Sequence, residues 1–477
     1  MPIIKNRALK ATLWSFIQRS GSLVIGFVAN IVLARLLDPE DFGCIAIILV
    51  FTTFADIFID SGLNGALIQK KNVTKKDVST VFTFNLSISI CLFVLFFFAA
   101  PAVGRFVGIP NLAIYLRVES IALLIRAFYC IQAAFLSKGL KFKNLAKYNI
   151  SSSMASVTVA IIMAALGCGV WSLVAKNLVL QLSLCLLYRH ASKVPYNLGF
   201  DKSSFKELFG FGWFVAMTAF FDVLYSNITS FLIGKRYSVK DLGFYNQAYS
   251  LQQIPVYSMS MVVTNVLFPF MSKMQDDPVR ILNNTRKVIK VTSLFTFPLM
   301  VYLIFFAKPV IIFIYSAKWE ASAIYFQILC MGGMVNALIH ICRNVLKSIG
   351  DTKSLFISQI AITIIAISGM FLFLKLELKW LVVWVACCSY LNWLVISSVT
   401  GKKIGYSILL QLKDIAPNIV FSVVAGFISY YLIDSFTLNI FLTTAVSAVL
   451  FAIVYCMLHI VFKTDSIKTL MSTVKSN

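Results

Sequence analysis

The chain has 477 residues, 59% of them hydrophobic and only 13% charged, with a mean hydropathy of +0.86 and a formal net charge of +23. A soluble domain carries roughly 25% charged residues, so this composition excludes a string of soluble domains and requires hydrocarbon around most of the length. The positive charge is dealt out among short loops and forms no stripe, which argues against a nucleic-acid partner and fits the positive-inside rule of an inner-membrane protein.

Residues 1–12 are basic (Lys5, Arg7, Lys10), and the apolar stretch that follows is too long for a signal peptide and lacks a small-residue cleavage site. It is expected to stay as the first anchor. A crossing needs about 20 mostly apolar residues. Stretches near 13–34, 42–60, 79–100, 112–134, 150–168, 170–188, 211–233, 244–268, 289–307, 322–342, 355–374, 381–399, 415–433 and 438–462 qualify. They predict an all-α membrane protein with about fourteen transmembrane helices. The fifth and sixth abut at Gly167-Cys168-Gly169, a tight turn. Lys and Arg alternate between the two sides of these spans with a threefold excess on the side of both termini. That bias places both ends in the cytoplasm. Between spans six and seven, Ser204-Phe205-Lys206-Glu207 has capping-box spacing and predicts a short amphipathic helix over 201–210 on the inner surface.

A shift of 200 residues exposes an internal repeat. Ala34–Gly43 reads ARLLDPEDFG and Gly234–Gly243 reads GKRYSVKDLG, aligning Arg35 with Lys235, Asp41 with Asp241 and Gly43 with Gly243. Each Asp is expected at the cap of the next helix. Six spans per copy makes the repeats parallel, a relation common in secondary transporters. The division is therefore 1–200 (spans one to six), 201–400 (seven to twelve) and 401–477 (the last two spans and a cytoplasmic tail).

The segments LARLLDPEDFG and FADIFIDSGLNGALIQ within Val32–Gln69 resemble the polysaccharide-transport (Wzx-type) flippases of the multidrug/oligosaccharidyl-lipid/polysaccharide exporter superfamily. ALGCGVWSLV (165–174), FLIGKRYSVKDLGFYNQAYSLQQIP (231–255) and NVLFPFMSKMQDDPVRI (265–281) extend the resemblance over roughly 1–400. It implies two six-helix lobes in a V plus two extra C-terminal helices. It also implies export of an undecaprenyl-diphosphate-linked oligosaccharide to the periplasmic leaflet, with membrane lipids, a polysaccharide polymerase and export machinery as further partners. A multidrug or cation antiporter and a lipid II flippase are alternatives in the same superfamily. A membrane polymerase or ligase would need a large periplasmic loop, and none is expected. No nucleotide-binding, metalloprotease or serine-hydrolase motif occurs, so the chain reads as a carrier with no enzymatic activity and no cofactor, driven by H⁺ or Na⁺.

Ionisable residues inside spans are costly and face a cavity or a partner. Arg19 lies on a polar face of span one with Ser15, Ser22, Gly26 and Asn30, where it either grips a phosphate or snorkels. Arg126, near mid-span four, is the leading substrate-binding cation; the competing role is a pair with Glu119 or Asp222. Arg117, on the opposite face, is expected to snorkel. Lys176 in span six is a weaker substrate candidate. Tyr249 and Gln253, one turn apart on span eight, suit stacking on and hydrogen bonding to sugars. Asp56, Asp60, Glu119 and Asp222 are the candidate ion-coupling carboxylates, with Asp56 and Asp60 otherwise expected to pair with Arg19.

Overall fold

A computed structural model describes the backbone of residues 2–60, 62–109, 111–192, 194, 197–272, 277–436 and 439–467, and it is helical with no strand among them. The helices are α1 (Pro2–Leu36), α2 (Pro39–Asp60), α3 (Leu63–Gln69), α4 (Lys75–Val107), α5 (Leu112–Glu119) and α6 (Ile121–Lys138). Then come α7 (Phe142–Ala165), α8 (Val170–Ser192), α9 (Lys202–Arg236), α10 (Val239–Ser272), α11 (Pro278–Phe305) and α12 (Ala307–Ile314). A 3-10 turn at Ala317–Trp319 leads to α13 (Ser322–Ser348), α14 (Thr352–Phe373), α15 (Leu378–Ile404), α16 (Ile408–Asp434) and α17 (Ile440–Val461).

Among the described residues, 12 helical stretches are long and apolar enough to cross a bilayer, counting α2 with α3 and α5 with α6 as one each. The count of fourteen adds α9 and α10, which have 35 and 34 residues. At 1.5 Å per residue each is roughly 50 Å long, more than a hydrocarbon core requires. Packing divides the chain into two compact units, Met1–Gly243 and Phe244–Asn477.

In the first unit α1 packs on α7, where Gly21 admits Ile150: a Cβ there would lie 3.0 Å from its Cδ1. The turn from α7 to α8 uses positive φ at Gly167 (76°) and Gly169 (52°), the tight connection expected from the sequence. The 201–210 segment corrects an expectation. It is the first part of α9, which runs unbroken from Lys202, and the cap is Asp201, whose carboxylate accepts from Ser204 N at 2.8 Å. Glu207 is thereby released from capping and accepts a hydrogen bond from Lys70 Nζ at 2.8 Å, joining α9 to the end of α3. That bond holds the Lys70 ammonium above its ordinary pKa.

The repeat reappears as reciprocal geometry. Asp38 N donates to Asp41 Oδ2 at 3.0 Å, and Ser238 N to Asp241 Oδ2 at 3.3 Å, so each Asp sits at the third helical position and reaches back to the cap. Glu40 pairs with Lys240 at 3.6 Å. A Cβ on Gly43 would stand 2.0 Å from Val239 O, and one on Gly243 would stand 1.9 Å from Pro39 O. The N-termini of α2 and α10 therefore cross backbone against backbone, each glycine resting on the counterpart of its partner's contact.

Arg117 also departs from expectation. Pro101 lies inside α4 and has no N–H for the carbonyl of Phe97, four residues earlier. Arg117 Nε donates to that oxygen at 2.9 Å, and its guanidinium lies 4.7 Å from the centre of the Phe97 ring. The arginine repairs a proline break where snorkelling was expected. The second unit, built of α11 to α17 and most of α10, repeats the device. Pro298 frees Leu294 O in α11, and the buried Tyr455 of α17 donates to it at 3.0 Å. At the beginning of α16, buried Asp414 accepts from Arg286 Nε and Nη2 at 2.8 and 2.9 Å and from Tyr406 Oη at 2.7 Å. Lys290 completes the cluster at 3.2 Å.

Candidate functional site

The first unit brings three of the candidate carboxylates and the leading cation into one polar seam between α2, α5, α6 and α8. Arg126 Nη1 pairs with Asp56 Oδ2 at 3.1 Å. Among the described residues Arg126 is not paired with Glu119, nor Asp56 with Arg19; the other expected partner of Arg126, Asp222, has its side chain outside them. The reason is helix packing. α2 lies against α6, so Asp56 and Arg126 meet midway along their spans, whereas Glu119 ends α5 and turns toward α8. There it accepts a hydrogen bond from Asn177 Nδ2, and its other oxygen, Oε2, is buried with no hydrogen-bond partner among the described residues.

Asp60, one turn beyond Asp56, accepts from Asn64 Nδ2 at 2.6 Å. Asp60 and Tyr129 lie within electrostatic reach of Arg126. Below them Tyr129 Oη donates to Gln181, and Asn149 Nδ2 donates to Tyr188 Oη at 2.6 Å, extending the seam across α6, α7 and α8. Lys176 is half-buried on α8 beside Asn177 and makes no ion pair among the described residues. Arg19 is exposed and likewise makes none among them.

The ion pair is open. The Arg126 and Asp56 side chains are 28% and 29% accessible, whereas Asn85 of α4, Glu119 of α5 and Gln132 of α6 are fully buried. A partly exposed ion pair within a span is costly if it faces hydrocarbon, which favours an aqueous or ligand-filled space on its open side.

In the second unit Tyr249 and Gln253 are hydrogen-bonded to each other, and Tyr249 stacks on Tyr245 with ring centres 6.0 Å apart and planes 16° apart. Tyr245 is buried, so Tyr249 and Gln253 are the partly exposed members of the group. The side chain of Asp222 lies outside the described residues; its backbone belongs to α9. Among the described residues no three His, Cys, Asp or Glu side chains converge as metal ligands.

Sequence reasoning passed over Asn64, Asn149, Asn177 and Gln181. Amides on apolar helices are a readable signal, because each must find a partner away from water. It also passed over Asp414, which stands with Lys413 near the start of its span and looks like an ordinary loop charge.

Fold and seam together define a multi-span α-helical membrane protein of a transporter class. The chain belongs to the family described as "Polysaccharide biosynthesis protein", whose profile matches residues 32–324. The resemblance to the polysaccharide-transport flippases holds. Among curated relatives, the teichuronic acid biosynthesis protein TuaB of Bacillus subtilis is 25% identical over 90% of this chain and 90% of its own. The lipopolysaccharide biosynthesis protein WzxC of Escherichia coli is 23% identical over 70% and 68%. The succinoglycan biosynthesis transport protein ExoT of Rhizobium meliloti is 27% identical over 64% and 62%. Among solved structures, the lipid II flippase MurJ in an inward closed conformation superposes with a TM-score of 0.79 at 18% identity, over 96% of this chain and 100% of that one. The protein shares that fold.

Proposed function

We propose that the protein is a flippase that moves an undecaprenyl-diphosphate-linked oligosaccharide from the cytoplasmic to the periplasmic leaflet for assembly of a surface polysaccharide. The observation that carries the reading is the open Arg126–Asp56 pair midway through the first unit, in a chain whose relatives are named for polysaccharide biosynthesis and transport. A guanidinium is the side chain suited to a diphosphate, since its planar fork can hold two phosphate oxygens at once. Tyr249 and Gln253, partly exposed on α10, offer an aromatic ring and an amide, the chemistry that a sugar requires. Arg19 and Lys176, cations without ion-pair partners among the described residues, are further phosphate contacts on the same reading.

In this proposal the chain lies in the inner membrane with both termini cytoplasmic and crosses fourteen times, α9 and α10 included. The two halves of the repeat, 1–200 and 201–400, act as lobes that rock by alternating access. A carboxylate of the set Asp56, Asp60, Glu119 and Asp222 takes up H⁺ or Na⁺ to bias the return step. The product passes to a polymerase.

The test is a deletion strain in which lipid-linked oligosaccharide is assayed on each leaflet. It should accumulate on the cytoplasmic side while its synthesis continues. Arg126→Ala should fail to restore export although the protein reaches the membrane at normal level, and Arg126→Lys should restore part. Accumulation of lipid II instead would favour the related lipid II flippase activity. Normal export in the deletion strain, with no second flippase present, would sink the proposal.

A further inference from the structure

We propose that Asp56 is a built-in competitor for the substrate's phosphate: it occupies Arg126 in the empty carrier, and a diphosphate displaces it on loading. This rests on the flippase reading and adds to it the residue that the substrate must replace.

Three features of the pair support the assignment. The contact is single, one Nη1 to one Oδ2 at 3.1 Å, and Asp56 is the one ion-pair partner of Arg126 among the described residues. A guanidinium carries five N–H donors, and its strongest arrangement is two parallel bonds to one anion. Arg286 and Asp414 show what a permanent pair looks like in this chain: two bonds at 2.8 and 2.9 Å, with the carboxylate buried. Arg126 leaves most of its donors uncommitted, so a diphosphate, with several oxygens, offers it more than the carboxylate does.

The second feature is accessibility. A ligand can reach both side chains of the Arg126–Asp56 pair, whereas Glu119 is sealed and held by Asn177. The third is the fate of the neighbouring acid. Asp60 accepts from Asn64 at 2.6 Å and makes no ion pair with Arg126 among the described residues, so Asp56 alone holds the competing place. The exchange also keeps the cation paired at every stage. A carrier returning empty would otherwise hold an uncompensated guanidinium within a span, where an unpaired charge is costly. Asp56 stands in for the phosphate on that leg.

The experiment uses the full chain in lipid nanodiscs and two probes, farnesyl diphosphate and farnesol. Wild type should bind farnesyl diphosphate in preference to farnesol, and Arg126→Gln should lose that preference. Asp56→Asn, which keeps the shape and removes the competing charge, should bind farnesyl diphosphate about tenfold more tightly, with farnesol unchanged. Glu320→Gln, at the exposed ion pair with Lys308 and outside the seam, should leave the diphosphate affinity near wild type. A second readout on wild type covers the case of an unstable Asp56→Asn. A hydrophobic carbodiimide that modifies free membrane carboxyls should label Asp56 more when farnesyl diphosphate is present, as mapped by mass spectrometry. If folded Asp56→Asn binds the diphosphate no better than wild type, or if the diphosphate leaves Asp56 labelling unchanged or lowers it, the competitor role is overturned while the flippase reading stands. If wild type shows no preference for the diphosphate, the flippase reading falls and this inference with it.

Discussion

Gly43→Ala and Gly243→Ala test whether the crossing of α2 and α10 is a state the molecule must be able to leave. Each added methyl would start about 2 Å from a backbone carbonyl oxygen, Val239 O for Gly43 and Pro39 O for Gly243. Ordinary contact needs about 3.4 Å, so the two helix ends must draw apart by more than 1 Å. No flexible side chain can absorb the shift, because both obstacles are backbone. Overpacking of this kind costs about 1–3 kcal/mol, and it falls only on the crossed state. At about 1.4 kcal/mol per factor of ten, the crossed state loses about 5- to 150-fold of its population relative to a state in which the ends are separated. Cys44, buried directly beside Gly43, is the reporter. Its modification by a maleimide, followed by mass spectrometry, should rise within that range in either variant. Gly26→Ala is the control, since nothing lies within 4 Å of its added Cβ; it should label Cys44 at the wild-type rate. If both glycine variants protect Cys44 as wild type does and melt at the same temperature, the close crossing is not a feature of the resting protein.

Other outcomes follow from the same geometry. Tyr455→Phe strands the carbonyl freed by Pro298 and should lower stability by about 0.6–1.7 kcal/mol, the measured scale of interhelical hydrogen bonds in membranes; Pro298→Ala, which returns an N–H to Leu294 O, should remove most of that loss in the double variant, read by thermal unfolding in detergent. Asp414→Asn leaves Arg286 without its anion and Lys290 with only Asp465 at 4.0 Å, and should cost about 3 kcal/mol, visible as a lower melting temperature. The Lys403 ammonium, 2.9 Å from Asp351, holds that carboxyl down at about 2. Because the folded value is depressed, the pair's contribution is present above about pH 4, the ordinary carboxylate value, and is lost as pH falls through 2. Wild type and Lys403→Ala should accordingly converge in stability below pH 2, as followed by circular dichroism.

The sequence shows what depends on local chemistry or on period. The 200-residue repeat, the capping role of Asp41 and Asp241 and the glycine turn at 167–169 are set by neighbours within a few positions, and the structure has all three. Partner choice among charges is another matter. Helical spacing tells which face carries Arg126 but not which helix lies against that face, and Asp56 is seventy positions away. Arg117 illustrates the same limit: its true partner is the backbone oxygen of Phe97, visible only through the proline four residues later. Capping failed at 201–210 for a different reason. Asp201 and Ser204 both carry cap chemistry, and the earlier one wins because the helix gains another turn before its hydrophobic face begins.

The two acids that meet arginine in this chain separate structure from function by their surroundings. Asp414 has three partners, four contacts and almost no exposure; every lone pair it brings out of water is used, and α16 is fixed to α11 as a result. Asp56 has one cationic partner, one contact and nearly a third of its surface open. Stability alone would favour converting the second arrangement into the first, since an ion pair inside a membrane is costly and a second bond would offset part of that cost. A pair left half-made within its span, beside a sealed Glu119, has the form that the proposed exchange with a diphosphate requires.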